Sequence, residues 1–225
     1  MITDKTFSFL KKLKQHNNRE WFAEHKALYE ASHEELIAFA DQLLKGLNQF
    51  DQIETPSGKK SLFRIYRDIR FSKDKTPYKT NRSGSFARLG EERRGGYYFS
   101  VAPGETVVGG GFYGPSAADL KLIRQQIELD AEPLKAVLNE KEFKSYYGGL
   151  QGEKLKTYPR GFDPEHEAIE LLRHKHFFVM RSFTDQEVLQ ADFPDQVLEA
   201  YQKLLPFFEV MSMYLTTNLD GESIL

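Results

Sequence analysis

The hydrophobic period of this chain changes four times, and no other feature limits its fold as tightly. Up to residue 47, apolar side chains recur every three or four positions. Phe7, Leu10 and Leu13 predict a helix capped by Thr3 or Asp4 and ending near His16. Asn17-Asn18-Arg19-Glu20 puts an Asn at a cap and a Glu three residues on, a capping-box arrangement that opens a long helix. Its stripe runs through Trp21, His25, Leu28, Ser32, Leu36, Phe39 or Ala40, Leu43 and Leu47. Thr55-Pro56-Ser57-Gly58 then punctuates the chain, and the period shortens towards two.

Phe63, Ile65, Ile69 and Phe71 alternate, interrupted by Arg67, which predicts a strand. Residues 83–89, 96–102 and 106–113 are three more strand segments, joined by hairpin-length connections at Gly90–Gly96 and Pro103-Gly104-Glu105. From Ser116 the helical period returns, with Leu120, Ile123 and Ile127, then Leu134, Val137 and Leu138, then a helix opened by Asp163-Pro164. One strand at 176–183 interrupts it. A final helical region from Pro194 to Leu215 must break or kink at Pro206, which lacks a backbone donor.

Helices, grouped strands, then helices again predict an α+β fold. It has an antiparallel β-meander sheet flanked by helices, a long N-terminal helix and a C-terminal helical region. A single domain over 1–225 is expected, with a helical part at 1–50, antiparallel strands at 60–113, and a mainly helical part at 115–225.

Composition removes several kinds of chemistry. With no cysteine, there are no disulfides, thiolate nucleophiles, zinc ribbons or cysteine-held iron–sulfur clusters. No cofactor is called for, and no metal site is predicted. His174 and His176 face the same way on an extended segment, but no third ligand accompanies them, so surface histidines are the expectation. Charges scattered through the first sixteen residues leave no apolar signal segment, and no window is long enough to span a bilayer. A cytoplasmic protein without membrane contact is expected. A balance of 31 basic and 33 acidic residues argues against a dedicated nucleic-acid binder.

The charge is nevertheless uneven. Between Phe63 and Gly84 lie seven cations and two carboxylates, a net of +5 in a chain whose formal total is −2. Arg67, among apolar neighbours, is read as a structural ion pair, because an unpaired buried charge costs several kcal/mol. Surface ion pairs are worth only about 0–1 kcal/mol each, too little to explain such a concentration. The run is therefore read as a site for a phosphate- or carboxylate-bearing small molecule, bound by Arg64, Arg70, Lys73, Lys75 and Lys79, with Tyr78 and Asn81 as neutral partners. Asp68 and Asp74 are the candidates for acid–base chemistry, and more simply orient their arginines. Whether the protein is an enzyme is left open. Pro77 stiffens the loop that carries the lysines. Two alternatives use the same patch: nucleic-acid binding, with Tyr97, Tyr98 or Tyr113 stacking on bases, and docking of an acidic protein partner.

The glycines of GGYYFSVAPGE and VVGGGFYGP lack the spacing of a phosphate loop or dinucleotide fingerprint. Gly109-Gly110-Gly111, in strand-like sequence, predicts close backbone approach. No Ser sits in a G-x-S-x-G elbow. Trp21 is expected in the core.

NNREWF at 17–22, FRIYRDIRFSKDKTPYKTN at 63–81, GGYYFSVAPGE at 95–105, GGGFYGP at 109–115, LKTYPRGFD at 155–163 and HFFVMRSF at 176–183 together resemble a bacterial family, domain-of-unknown-function family 2461. The resemblance implies a shared fold and a single domain, and carries over no activity, substrate or catalytic residue. Ser100 stands where relatives place a His after the aromatic pair, which argues against a catalytic role there.

Overall fold

The N-terminal helix α1 (Asp4–Gln15) is capped by Thr3, whose hydroxyl accepts from the Lys5 N–H at 3.2 Å. Its inner side buries Phe7, Phe9, Leu10 and Leu13. In this computed structural model, which describes residues 1–225, the expected second helix is two helices, α2 (Arg19–Glu24) and α3 (Lys26–Leu47). The break falls at His25, whose ring lies 4.3 Å from that of Trp21 and whose Nδ1 is 2.8 Å from the Trp21 carbonyl oxygen. The break rotates the stripe: Phe22 is buried, Trp21 only partly, and Leu28 is 41% exposed. Glu35 of α3 accepts hydrogen bonds from both Thr3 and Thr6, tying α1 to α3.

A short helix α4 (Gly58–Ser61) follows, capped by Ser57 and packed on α3. Gly58 is required there, since a Cβ would sit 2.4 Å from the Asp41 backbone nitrogen. The antiparallel sheet has the order β1 (Arg82–Ala87), β2 (Gly96–Val101), β3 (Thr106–Phe112), β4 (Phe177–Phe183), with each strand beside its sequence neighbour. Between β3 and β4 come α5 (Ala117–Leu129), α6 (Glu132–Asn139), α7 (Lys141–Tyr147) and the single turn α8 (Ile169–Leu172). The helix expected from Asp163 is reduced to that turn. After β4 come α9 (Asp185–Val188), α10 (Phe193–Gln202) and α11 (Leu205–Thr216). Pro206 sits in the first turn of α11, where a missing N–H costs nothing, so the expected break is a clean helix boundary.

Two compact units are present. One comprises Met1–Ala87, Tyr98–Val108 and Ser182–Glu199. Its core is aromatic: Phe39 stacks on Phe193 at 5.4 Å and meets Phe99 edge-on at 5.5 Å. The other comprises Arg88–Tyr97, Gly109–Arg181 and Ala200–Leu225. There Tyr97 is fully buried between Tyr201 and Phe208, so it is not a free stacking surface as the nucleic-acid reading supposed. The Gly109–Gly111 run gives the close approach expected of it: a Cβ on Gly109 would meet the Val179 carbonyl oxygen at 2.0 Å. His174 is buried rather than at the surface, 4% exposed, and burial pushes its imidazole down to about 4.

One strand expectation fails. Residues 63–71 form no regular strand. The Asp68 carboxylate accepts from the Arg70 N–H at 3.2 Å, and the Asp74 carboxylate from the Thr76 N–H at 2.9 Å. These side chains bond their own backbone two residues on, which competes with strand pairing.

Candidate anion-binding site

The basic run is an irregular hairpin on the outer side of β1. Leu62 pairs with Gly84 and Tyr66 with Tyr78, both antiparallel, so four steps along one side are matched by six along the other. Backbone bonds from Lys79 N–H to Ile65 at 2.8 Å and from Phe63 N–H to Ser83 at 2.9 Å bound the mismatch. The two extra residues therefore lie in the Lys79–Ser83 stretch, where the chain bends at Thr80 and Asn81. Extra residues of this kind re-aim side chains, and here they act on Lys79, Asn81 and Arg82.

The stem is anchored from below. Ile65 and Tyr78 are buried with Phe9, Leu10, Leu13 and Phe22, and the Tyr78 ring stacks on Phe22 at 4.0 Å. Burial pushes the Tyr78 hydroxyl above its ordinary range. Asn17 was expected at a helix cap, but Asn18 takes that place, accepting from the Trp21 N–H at 2.8 Å. Asn17 is thereby released to hold the loop at Tyr78.

At the tip, charges are matched locally. Arg67 Nη1 lies 2.5 Å from an Asp74 carboxylate oxygen and 3.1 Å from the Thr76 carbonyl, and also contacts the Thr76 hydroxyl. Arg70 grips Asp68 with two parallel bonds of 3.0 and 2.7 Å. Lys75 donates to the Ile69 carbonyl at 2.9 Å, and Lys73 is exposed. Bonds from the Thr76 backbone and then Arg67 hold the Asp74 carboxyl down at about 2. Its bonds to Arg70 likewise lower Asp68. Both acids stay ionised and orient their arginines.

The base of the hairpin is different. Arg82 is 2% exposed, yet it has no carboxylate partner. Its Nη2 donates to His33 Nδ1 at 2.8 Å, which puts the His33 proton on Nε2. Its guanidinium carbon lies 5.4 Å from the Tyr29 ring centre, and its Nε has no hydrogen-bond partner. Tyr29 and His33, one helical turn apart on α3, stack at 5.5 Å. Burial, then the charges of Arg82 and Lys59, lower His33, with Glu34 opposing. Burial, then Arg64 and Arg82, lower Lys79. Beside them Asn81 donates to the Ser100 hydroxyl at 2.7 Å.

The structure thus separates the candidates read from sequence. Arg64 and Lys79 share the electrostatic neighbourhood of Arg82, and Asn81 adjoins them in the chain. Arg70, Lys73 and Lys75 lie out on the tip, and Tyr78 is turned into the core. Arg82, His33 and Tyr29 were not singled out. A signal existed: Arg82 has the parity of Gly84 and Phe86 along β1, and the Phe86 ring packs on Phe99. That parity directs Arg82 inwards.

No curated protein and no solved structure matches the chain. Residues 5–209 match the family described as Conserved hypothetical protein (DUF2461), and with that span of its 225 residues the chain belongs to this family.

Proposed function

We propose that the protein binds an anionic small molecule, bearing a phosphate or carboxylate group, at the base of the basic hairpin. The observation that carries this reading is Arg82, a buried cation without a carboxylate. Charge held in this way costs several kcal/mol unless an opposite charge compensates it. Lys79 and Arg64 supply the direct contacts, with Asn81 as a neutral donor, while Arg82 contributes a fixed field from beneath. Lys73 and Lys75 add long-range attraction, while the charge of Arg70 is matched by Asp68. No reaction is assigned. The setting proposed is the cytoplasm of a bacterium, in keeping with a chain that has no cysteine and no helix long and apolar enough to cross a membrane.

Titration with inorganic phosphate and with acetate at low ionic strength, followed by amide chemical shifts, tests the reading. Saturable shifts at Lys79, Asn81 and Arg82, weakened about tenfold in Lys79→Gln, are expected for at least one anion. The absence of saturable shifts with both anions in the wild-type protein sinks it.

A further inference from the structure

Next to Lys79 the hairpin presents aromatic surface that the binding of a bare anion does not use. Lys79 Nζ lies 5.6 Å from the centre of the Phe63 ring, and that ring is 6.4 Å from Tyr98 at an angle of 34°. Phe63 is 42% exposed, although it belongs to a short segment pinned to β1 by its own backbone bond to Ser83. Tyr98 and Ser100 are two apart on β2 and so project from the same face, and Ser100 accepts from Asn81. One surface of the ribbon therefore offers a half-buried cation, an accessible ring held by paired backbone, a second ring beside it, and the Asn81 amide, positioned by its bond to the buried Ser100 hydroxyl.

We propose that the ligand is a nucleoside phosphate, a reading that rests on anion binding at this hairpin. Lys79, with Arg64, takes the phosphate. Phe63 and Tyr98 form the surface on which the base stacks, because every base has a π-face and an aromatic ring held in place loses little freedom on contact. The Asn81 amide, a donor and acceptor, faces the sugar hydroxyls or the base edge. A mononucleotide fits better than a strand. A nucleic-acid track needs a row of available cations, whereas Arg70 is occupied by Asp68 and Lys75 by the Ile69 carbonyl.

The test compares inorganic phosphate, ribose 5-phosphate, adenosine 5′-monophosphate and a short single-stranded RNA on the wild-type protein, Phe63→Leu and Lys79→Gln. The expected result is that the mononucleotide binds the wild-type protein about tenfold tighter than ribose 5-phosphate. Phe63→Leu brings that ratio close to one, while Lys79→Gln weakens both ligands. Equal affinity for the mononucleotide and ribose 5-phosphate in the wild-type protein overturns the base-stacking assignment and leaves anion binding standing. Failure of every phosphate compound to bind overturns both. RNA binding far tighter than the mononucleotide, with a steep salt dependence, overturns the small-molecule assignment in favour of a nucleic acid.

Discussion

Asn17 holds Tyr78 by both of its backbone groups: the side-chain Nδ2 donates to the Tyr78 carbonyl at 2.9 Å, and Oδ1 accepts from the Tyr78 N–H at 3.1 Å. One side chain at the start of the second helical segment thus fixes the far side of a hairpin 61 residues away. Asn17→Ala leaves both backbone groups without those partners, and the expected loss is about 1–3 kcal/mol. Urea unfolding measures it. Asn17→Asp keeps the acceptor and loses the donor, so its loss should be smaller. Equal stability of wild type and Asn17→Ala would show that the clamp is dispensable.

Arg82 separates stability from binding. Arg82 has hydrogen-bond partners but no counter-ion, so an apolar residue of similar length in its place removes the cost of burying the charge. Arg82→Met is therefore expected to melt within about 1 kcal/mol of wild type or above it, and to bind phosphate more weakly. Thermal denaturation and phosphate titration on the same sample check both halves. A large drop in stability would assign Arg82 to the scaffold instead.

His33 reports on the same charge. Its folded-state value is lowered from the ordinary 6.5, so the fold binds fewer protons than the unfolded chain, and stability from this group is present above 6.5 and lost as pH falls through the lowered value. Imidazole proton shifts should give a midpoint below 6.5 in the free protein. Arg82→Met should raise that midpoint, and so should added phosphate. Insensitivity to both would remove Arg82 as a cause.

His174 makes the larger acid-side prediction. Burial lowers it from 6.5 to about 4, so stability should decline as pH falls from 6.5 towards 4, by up to about 3 kcal/mol. Arg124 donates to the Leu172 and His174 carbonyls, which fixes the backbone there independently of the imidazole. His174→Leu should therefore fold and show a flatter stability profile across this window. Denaturant unfolding at a series of pH values checks it.

Gly109→Ala is expected to cost more than about 3 kcal/mol or to prevent folding, because its Cβ would overlap the Val179 carbonyl oxygen, a backbone atom with no rotamer to yield. Gly46→Ala, whose Cβ would meet the end of the Leu198 side chain, should be milder. Paired unfolding measurements compare them.

The sheet and most of the helices were legible because their periods reflect which sides they bury. Tyr97, Phe99 and Val101 alternate along β2 and are all fully buried. The error at 63–71 has the same root. Phe71 completes an apparent alternation, yet it is 96% exposed, and Asp68 and Asp74 bend the backbone by bonding it locally. For the site, the excess of charge was visible but its division was not. Arg70 finds Asp68 two residues away, a pairing the sequence makes easy to see. Arg82 depends on Tyr29 and His33, roughly fifty positions earlier, and such a contact leaves no local pattern.

The two additional residues between Tyr78 and Gly84 have a further consequence. Gly84 of β1 is paired to Leu62 beyond them, so a deletion or insertion at residues 79–81, ahead of the strand's first residue Arg82, is expected to change where Lys79 and Asn81 point while the Leu62–Gly84 pairing holds. The segment is thus a joint whose length is expected to set the aim of its side chains while the sheet keeps its register.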